Sequence, residues 1–159
     1  MVESGGDVTE MFRGSSFHTL DDKGRIVVPT RFRDLLRKDG SPDGVMVSRM
    51  DQCLLAYHFE DWYRLENRIL QLAEKSEYMR RFRRIFIGGA SECLCDKQDR
   101  VLIPPMLRQY AALNRDIVLV GVTDHFEIWS RENFEKEELT LQNDLKNPEA
   151  RNEIAKLGI

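Results

Sequence analysis

Leu20 to Leu36 reads LDDKGRIVVPTRFRDLL, and Cys95 to Ala111 reads CDKQDRVLIPPMLRQYA. Displaced by 75 residues, the two stretches put Asp21 over Asp96, Arg25 over Arg100, Pro29 over Pro104 and Arg33 over Arg108. Between arginine and proline, Ile26, Val27 and Val28 lie over Val101, Leu102 and Ile103. An acid, a turn, an arginine, an apolar triplet and a proline in the same order twice mark two copies of one supersecondary unit. The correspondence continues at a displacement of 72, with VMVSRMDQCLLAY (Val45 to Tyr57) over IVLVGVTDHFEIW (Ile117 to Trp129). The three-residue difference falls in the loop around Asp39 to Asp43, where a change of length costs little.

Working outward, Phe12 to Leu20 and Arg25 to Val28 flank Asp21-Asp22-Lys23-Gly24, which predicts a hairpin with a glycine-containing turn. Pro29 ends the returning strand, and Thr30 to Lys38 forms a short helix with Phe32, Leu35 and Leu36 on one side. Breakers fill Asp39 to Gly44, a loop. Strands follow at Val45 to Met50 and Cys53 to His58, joined tightly at Asp51-Gln52. Phe59 to Ala73 spaces Trp62, Leu65, Ile69 and Leu72 as an amphipathic helix does. A second helix, Glu77 to Phe86, carries Tyr78, Phe82 and Ile85 on one face with Arg80, Arg81, Arg83 and Arg84 around it, and Gly88-Gly89 ends it.

The second unit repeats the scheme with strands Ser91 to Cys95 and Arg100 to Ile103, helix Pro105 to Leu113, and strands Ile117 to Val122 and Phe126 to Trp129. The tail after Ser130 begins as a helix and is expected to fray beyond Pro148. The expected fold class is α+β: two tandem, pseudo-symmetric β-β-α-β-β-α units. Neither buries its sheet faces alone, so the two interlock into one β-core with the helices outside. The expected organisation is a disordered leader at 1–10, a first repeat at 11–75 and a connecting helix at 76–89. A second repeat at 90–134 and an acidic helical tail at 135–159 complete it.

With 159 residues, 42% of them hydrophobic, the chain can bury one ordinary core or two small ones fused along a pseudo-twofold axis. The net charge of −3 does not advertise nucleic acid, and the distribution is more telling than the total. Seven bases face three acids between Met11 and Lys38, while seven acids face four bases between Glu132 and Ile159. Such a molecule can turn one face toward phosphate and hold another away. Three cysteines, an odd number without regular spacing, suggest a reducing cytoplasm. No signal-peptide pattern and no apolar run near 18 residues occurs, so neither secretion nor a membrane span is expected.

At the turn, Asp21 can accept backbone N–H groups as Asx residues do, and Gly24 tolerates positive φ. Arg25, four residues after Asp21, has two readings that the residues alone leave open. One is a turn-stabilising ion pair worth under about 1 kcal/mol. The other is a reader of guanine O6 and N7, whose spacing its planar fork matches. Cys93 and Cys95 flank Leu94, with His18 aligned over Cys93. Two close thiols fall short of the four ligands of structural zinc, so buried strand thiols are expected and no metal. His58 and His125 stand beside aromatic residues, where packing is the expected role. No Gly-x-Ser-x-Gly, Walker or dinucleotide fingerprint occurs, so neither an enzyme nor a cofactor is expected.

Several stretches together carry a resemblance: Met11-Phe12-Arg13-Gly14-Ser15, Leu20 to Arg25, Pro29 to Arg33, Gly89 to Cys93, Leu119-Val120-Gly121 and Phe126 to Trp129. From Met11 to about Phe134 the chain resembles the MraZ family, with both halves matching in order. The resemblance implies an AbrB-like swapped-hairpin fold with both hairpins in one chain. It implies a transcriptional regulator, expected to repress, that binds double-stranded DNA at G-containing direct repeats in the promoter of the division and cell-wall gene cluster. The working form would be a ring-shaped homo-oligomer in the cytoplasm, at the nucleoid.

The family's Asp-x-x-x-Arg motif falls on Asp21/Arg25 and Asp96/Arg100. Arg25 and Lys23 are the first candidates for DNA contact, followed by Arg13, Arg31 and Arg33, while Asp21, Gly24 and Asp96 shape the turns. The second turn departs from the pattern, with Gln98-Asp99 where a small residue and glycine are usual. Asp99 is expected to repel phosphate and to pair with Arg100, leaving the second copy mainly a structural twin with Arg100 a lesser contact. The ten-residue leader also precedes the usual start. The Arg80 to Arg84 run is expected to be a solvated helix face or to pair with acids on a neighbour. The alternative function is a ring-forming scaffold that binds a protein partner and not DNA.

Overall fold

The computed structural model of the chain describes residues 11–37, 40, 43–72 and 76–159. The expected leader, most of the loop after Arg37 and the end of the helix expected to reach Ala73 lie outside them. The first copy consists of strands β1 (Ser15–Thr19) and β2 (Arg25–Val27), helix α1 (Thr30–Arg37), strands β3 (Gly44–Met50) and β4 (Cys53–Tyr57) and helix α2 (Phe59–Leu72). Helix α3 (Glu77–Phe86) leads to the second copy: β5 (Ser91–Leu94), β6 (Arg100–Leu102), α4 (Pro105–Tyr110), β7 (Asp116–Gly121), β8 (Phe126–Ser130) and α5 (Arg131–Asp144). A last helix, α6 (Pro148–Ala155), follows.

The strands flanking the first turn part company. β1 pairs antiparallel with β7, Phe17 opposite Val118, whereas β2 pairs with β6, Ile26 opposite Val101. The expected hairpin of β1 on β2 is thus reduced to its turn, closed by Gly24 N–H to Asp21 O and Asp21 N–H to Arg25 O, both 3.0 Å. The physical reason is burial. Pairing across the copies places Ile26, Val28, Val101 and Ile103 together beneath the large sheet, each at most 1% exposed. Two further bonds extend the exchange, Val28 N–H to Asp99 O at 3.0 Å and Ile103 N–H to Gly24 O at 2.9 Å.

The large sheet is antiparallel throughout, in the order β1-β7-β8-β4-β3-β5. Exchanging the copies reverses that order onto itself, and the registers agree: His18 opposes Ile117 as Cys93 opposes Val45. The pseudo-twofold axis passes between Ile26 and Val101 in the small sheet, and between Leu55 and Glu127 in the large one. The middle of the sheet is covered on both faces, as the fully buried run of β4 requires. Strand alternation sends Val45, Val47, Leu54, Ala56, Ile117, Leu119, Phe126 and Ile128 to one face, against β2, β6, α1 and α4. There Phe32 stacks on Phe126 at 4.8 Å and meets Phe12 edge-on at 5.2 Å. Cys53, Leu55, Tyr57, Val118 and Trp129 go to the other face, beneath Trp62 and Ile69 of α2 and Phe86 of α3.

Short strands joined at Asp51 and Gln52, both at positive φ, make the two-residue turn that matches strand twist. The tail holds its helix beyond Pro148, where fraying was expected. Asn147 Oδ1 accepts the Glu149 N–H at 2.9 Å and Pro148 fills the first helical position, where a missing N–H costs nothing.

Candidate nucleic-acid interface

Both turns are built by one carboxylate in the same way. Asp21 Oδ1 accepts the backbone N–H groups of Lys23 and Arg25, each at 2.9 Å, and Oδ2 accepts Arg25 Nε at 2.7 Å. Asp96 Oδ1 accepts from Gln98 at 2.8 Å and Arg100 at 3.0 Å, and Oδ2 accepts Arg100 Nε at 2.9 Å. These bonds favour the ionised acid. The Arg25 backbone N–H, with its side chain and the Lys23 N–H, holds the Asp21 carboxyl down at about 2. Asp96 is lowered for the same reason, led by the Arg100 backbone N–H. In each arginine the bond to the acid uses Nε, so the two terminal nitrogens of the fork make no hydrogen bond among the described residues. Arg25 therefore pairs with Asp21 through Nε and keeps the outer edge of its guanidinium open.

The pairing of β2 with β6 puts the two copies on one surface. Arg25 lies opposite Leu102 and Arg100 opposite Val27. Ile26 and Val101 point inward, so strand alternation turns Arg25, Val27, Arg100 and Leu102 to the same outer face. Val27 and Leu102 are 51% and 53% exposed there, between the two arginines. The sequence placed them in apolar triplets that look like core. Only the exchange, which uses the first and third positions of each triplet for burial, leaves the middle ones outside.

The fourth turn position is glycine in one copy and aspartate in the other, yet both take positive φ, +87° at Gly24 and +63° at Asp99. Each is covered by the other copy's helix. A Cβ on Gly24 would stand 2.5 Å from the Arg108 guanidinium carbon, and Arg108 Nε donates to Ile103 O at 2.9 Å. At the equivalent place Asp99 pairs with Arg33, and with Arg37 at 2.7 Å. Arg37 also pairs with Asp43 at 2.6 Å. The expected pairing of Asp99 with Arg100 is not the one formed, because Arg100 is held by Asp96. Arg37, then Arg33, keeps the Asp99 carboxyl below its ordinary value. Sequence reasoning did not identify Arg37, Arg108 or this link between copies, whose partners lie 62 residues apart.

The remaining candidates separate by position. Lys23 is exposed at the tip of the first turn, beside Arg25. Arg33 donates to Thr30 Oγ1 at 2.6 Å in addition to its pair with Asp99, and its side chain is 16% exposed. Arg13 and Arg31 are exposed at the far end of β1, where Arg31 packs over the Phe32 ring and reaches Ser16 Oγ at 3.4 Å. His18 Nε2 lies 2.7 Å from that hydroxyl. Its burial, then Arg31, lowers its pKa. Burial raises the thiols, Cys93 to about 11 and Cys95 to about 12. Among the described residues no three metal-ligating side chains cluster as an ion would need. None of the helices described is long and apolar enough to cross a membrane.

Two acid-turn-arginine units, exchanged across a pseudo-twofold axis within one chain, define a tandem swapped-hairpin protein of the AbrB-like kind. Comparison with known proteins takes this further. The family model described as "MraZ protein, putative antitoxin-like" matches residues 11–85 and again 86–154. A protein of Desulforapulum autotrophicum named transcriptional regulator MraZ is 57% identical over 149 residues, covering 94% of this chain and all of the relative. Its namesake in Desulfosudis oleivorans is 50% identical over the same shares, and that of Syntrophobacter fumaroxidans 45% identical over 76% of this chain and 79% of the relative. The chain belongs to the MraZ family.

Proposed function

We propose that this chain is a sequence-specific, double-stranded-DNA-binding transcriptional regulator, a repressor acting at G-containing direct repeats in the promoter of the division and cell-wall gene cluster. The observation that carries the reading is the outer face of the small sheet. Two arginines, each held at Nε by its own aspartate, offer preorganised forks on one surface. A fork fixed before binding loses little freedom on meeting guanine O6 and N7, and Lys23 adds a phosphate contact at the tip. Arg25 and Lys23 lead the contact, Arg13 and Arg31 extend it from the other end of β1, and Arg100 joins Arg25. Arg33 contributes least, since Asp99 occupies it. No catalytic step is proposed, and the place of action is the cytoplasm, at the nucleoid.

Direct repeats call for copies related by rotation about a ring, in contrast to the palindrome that an isolated twofold dimer prefers. A ring-shaped homo-oligomer would let several weak turn contacts act together through effective concentration. In this reading 11–75 and 90–134 are the two repeats, joined by 76–89, and 135–159 is an acidic appendage. Footprinting on the protein's own upstream DNA tests it. Regularly spaced protected boxes containing guanine are expected, and a uniform or absent footprint would contradict the assignment. Exposed Val27 and Leu102 favour a second reading, a scaffold that docks a protein on the same face. Capture of a protein partner that ignored both salt and the loss of Arg25, with no footprint on DNA, would favour it.

A further inference from the structure

Val27 and Leu102 have no role in the core, since both point outward from the small sheet and stay exposed. Each stands beside an arginine of the other copy, Leu102 opposite Arg25 and Val27 opposite Arg100. The ladder bonds fall at the positions on either side, Ile103 N–H to Gly24 O and Val28 N–H to Asp99 O. Antiparallel ladders alternate, so Arg25 with Leu102 and Val27 with Arg100 form the pairs without hydrogen bonds. In such pairs the opposing side chains stand closest, with Cα atoms about 4.5 Å apart. Each guanidinium that its aspartate holds at Nε therefore has an aliphatic side chain directly beside it.

A two-stranded ribbon is one of the shapes that the major groove of B-DNA admits. The floor of that groove offers the O6 and N7 acceptors of guanine and one apolar group, the C5 methyl of thymine. The outer face of β2 and β6 carries the complement of both. A protein docked here would need an anion for each open guanidinium edge as well as apolar cover, because a buried charge without a partner is costly. DNA supplies acceptors and methyl groups from a single surface. Side chains two residues apart on a strand are about 6.6 Å apart, close to two base steps of about 3.4 Å, and the cross-strand neighbour is nearer still. An aliphatic side chain beside a guanine-bound arginine thus falls on a neighbouring base pair.

We propose that Leu102 and Val27 are specificity residues that pack on thymine C5 methyl groups, within about two base pairs of the guanines met by Arg25 and Arg100. The reading rests on the DNA contact proposed above and adds a second base to what each half of the face recognises. Each half draws its arginine from one copy and its aliphatic side chain from the other. The pairing of β2 with β6 therefore assembles the recognition unit as well as the core. The methyl contact separates thymine from cytosine, which lacks that group, and it engages no phosphate.

Fluorescence anisotropy with the full chain on its own upstream DNA tests this, with thymines replaced one at a time by deoxyuridine to remove single methyl groups. Wild-type affinity should fall about fourfold at thymines beside a protected guanine, the worth of one buried methylene-sized group, and hold elsewhere. In Val27→Ala/Leu102→Ala that penalty should vanish, with unchanged circular dichroism because both sites are exposed. The double variant should bind more weakly than the wild type yet keep its slope of affinity against salt, which counts phosphates. A deoxyuridine penalty that persists in the double variant would assign the methyl to another residue or to DNA shape, and would overturn the proposal. So would a double variant that binds DNA as the wild type does, which would leave the aliphatic pair to a protein partner. 7-Deazaguanine, which lacks the N7 acceptor, separates this contact from the one beneath it. If it weakens binding while deoxyuridine does not, the methyl contact fails and guanine recognition stands; if neither weakens binding, both fail.

Discussion

Asp21 organises its turn with both carboxylate oxygens, and its ionisation is therefore coupled to folding. Its carboxyl falls from an ordinary 3.8 to about 2, first through the Arg25 backbone N–H. A depressed acid stabilises the fold above its unfolded pKa and loses that contribution as pH falls through the folded one. Melting temperature should thus drop between about pH 4 and 2 more steeply in the wild type than in Asp21→Asn; parallel pH profiles would contradict the assigned bonds. Gly24→Ala places a Cβ at φ +87° and against Arg108. A loss of about 1 to 2 kcal/mol in urea unfolding is expected, the cost of left-handed backbone in a residue with a Cβ. The Asp21 and Arg25 pair was legible because four residues separate them across a turn. Asp99 was not, since its partners Arg33 and Arg37 stand in the other copy, and no local rule ranks them above the adjacent Arg100.

Among the elements, the order of strands and helices in both copies was legible from alternation, helical spacing and the breakers between them. That the copies interlock was legible as well, because neither buries its sheet faces alone; which strand pairs with which was not. A three-residue strand such as β2 carries too little pattern to choose a partner, and the turn before it looks the same in a closed hairpin as in an exchanged one. Ile26 opposite Val101 on the pseudo-twofold axis is the contact that decides between them. Ile26→Ala should cost about 2 to 5 kcal/mol. With Val101→Ala it should show a coupling of about 0.5 to 3 kcal/mol in a double-mutant cycle. Additive losses would argue that the two side chains do not meet. On the opposite face of the sheet Trp62 is fully buried, and its indole Nε1 has no hydrogen-bond partner among the described residues. Trp62→Phe should therefore be far milder than Trp62→Ala, which is expected to cost about 3 to 5 kcal/mol.

At the scale of the whole molecule, exchange makes each copy depend on the other. β1 needs β7, β5 needs β3, and β2 needs β6. The chain should unfold in one cooperative transition, with calorimetric and van't Hoff enthalpies equal. Two separated transitions would mean that the copies stand alone. The same exchange resolves how a chain of net charge −3 can face DNA. Arg25 and Arg100 share the outer face of the small sheet, while acids outnumber bases on a tail helix that has no fully buried residue. In sequence Asp99 is what sets the second copy apart from the first. In the fold Asp99 is engaged with Arg33 and Arg37, and Arg100 shares the face of Arg25.

The most direct measurement is the affinity for the protein's upstream DNA over a series of salt concentrations, for the wild type and for Arg25→Ala. Binding should weaken linearly in log–log form, with a slope close to the number of phosphates engaged. At matched salt, Arg25→Ala should lose about 1 to 3 kcal/mol per engaged site and discriminate less at a guanine. Affinity indifferent to salt and unchanged by the loss of Arg25 would contradict the account.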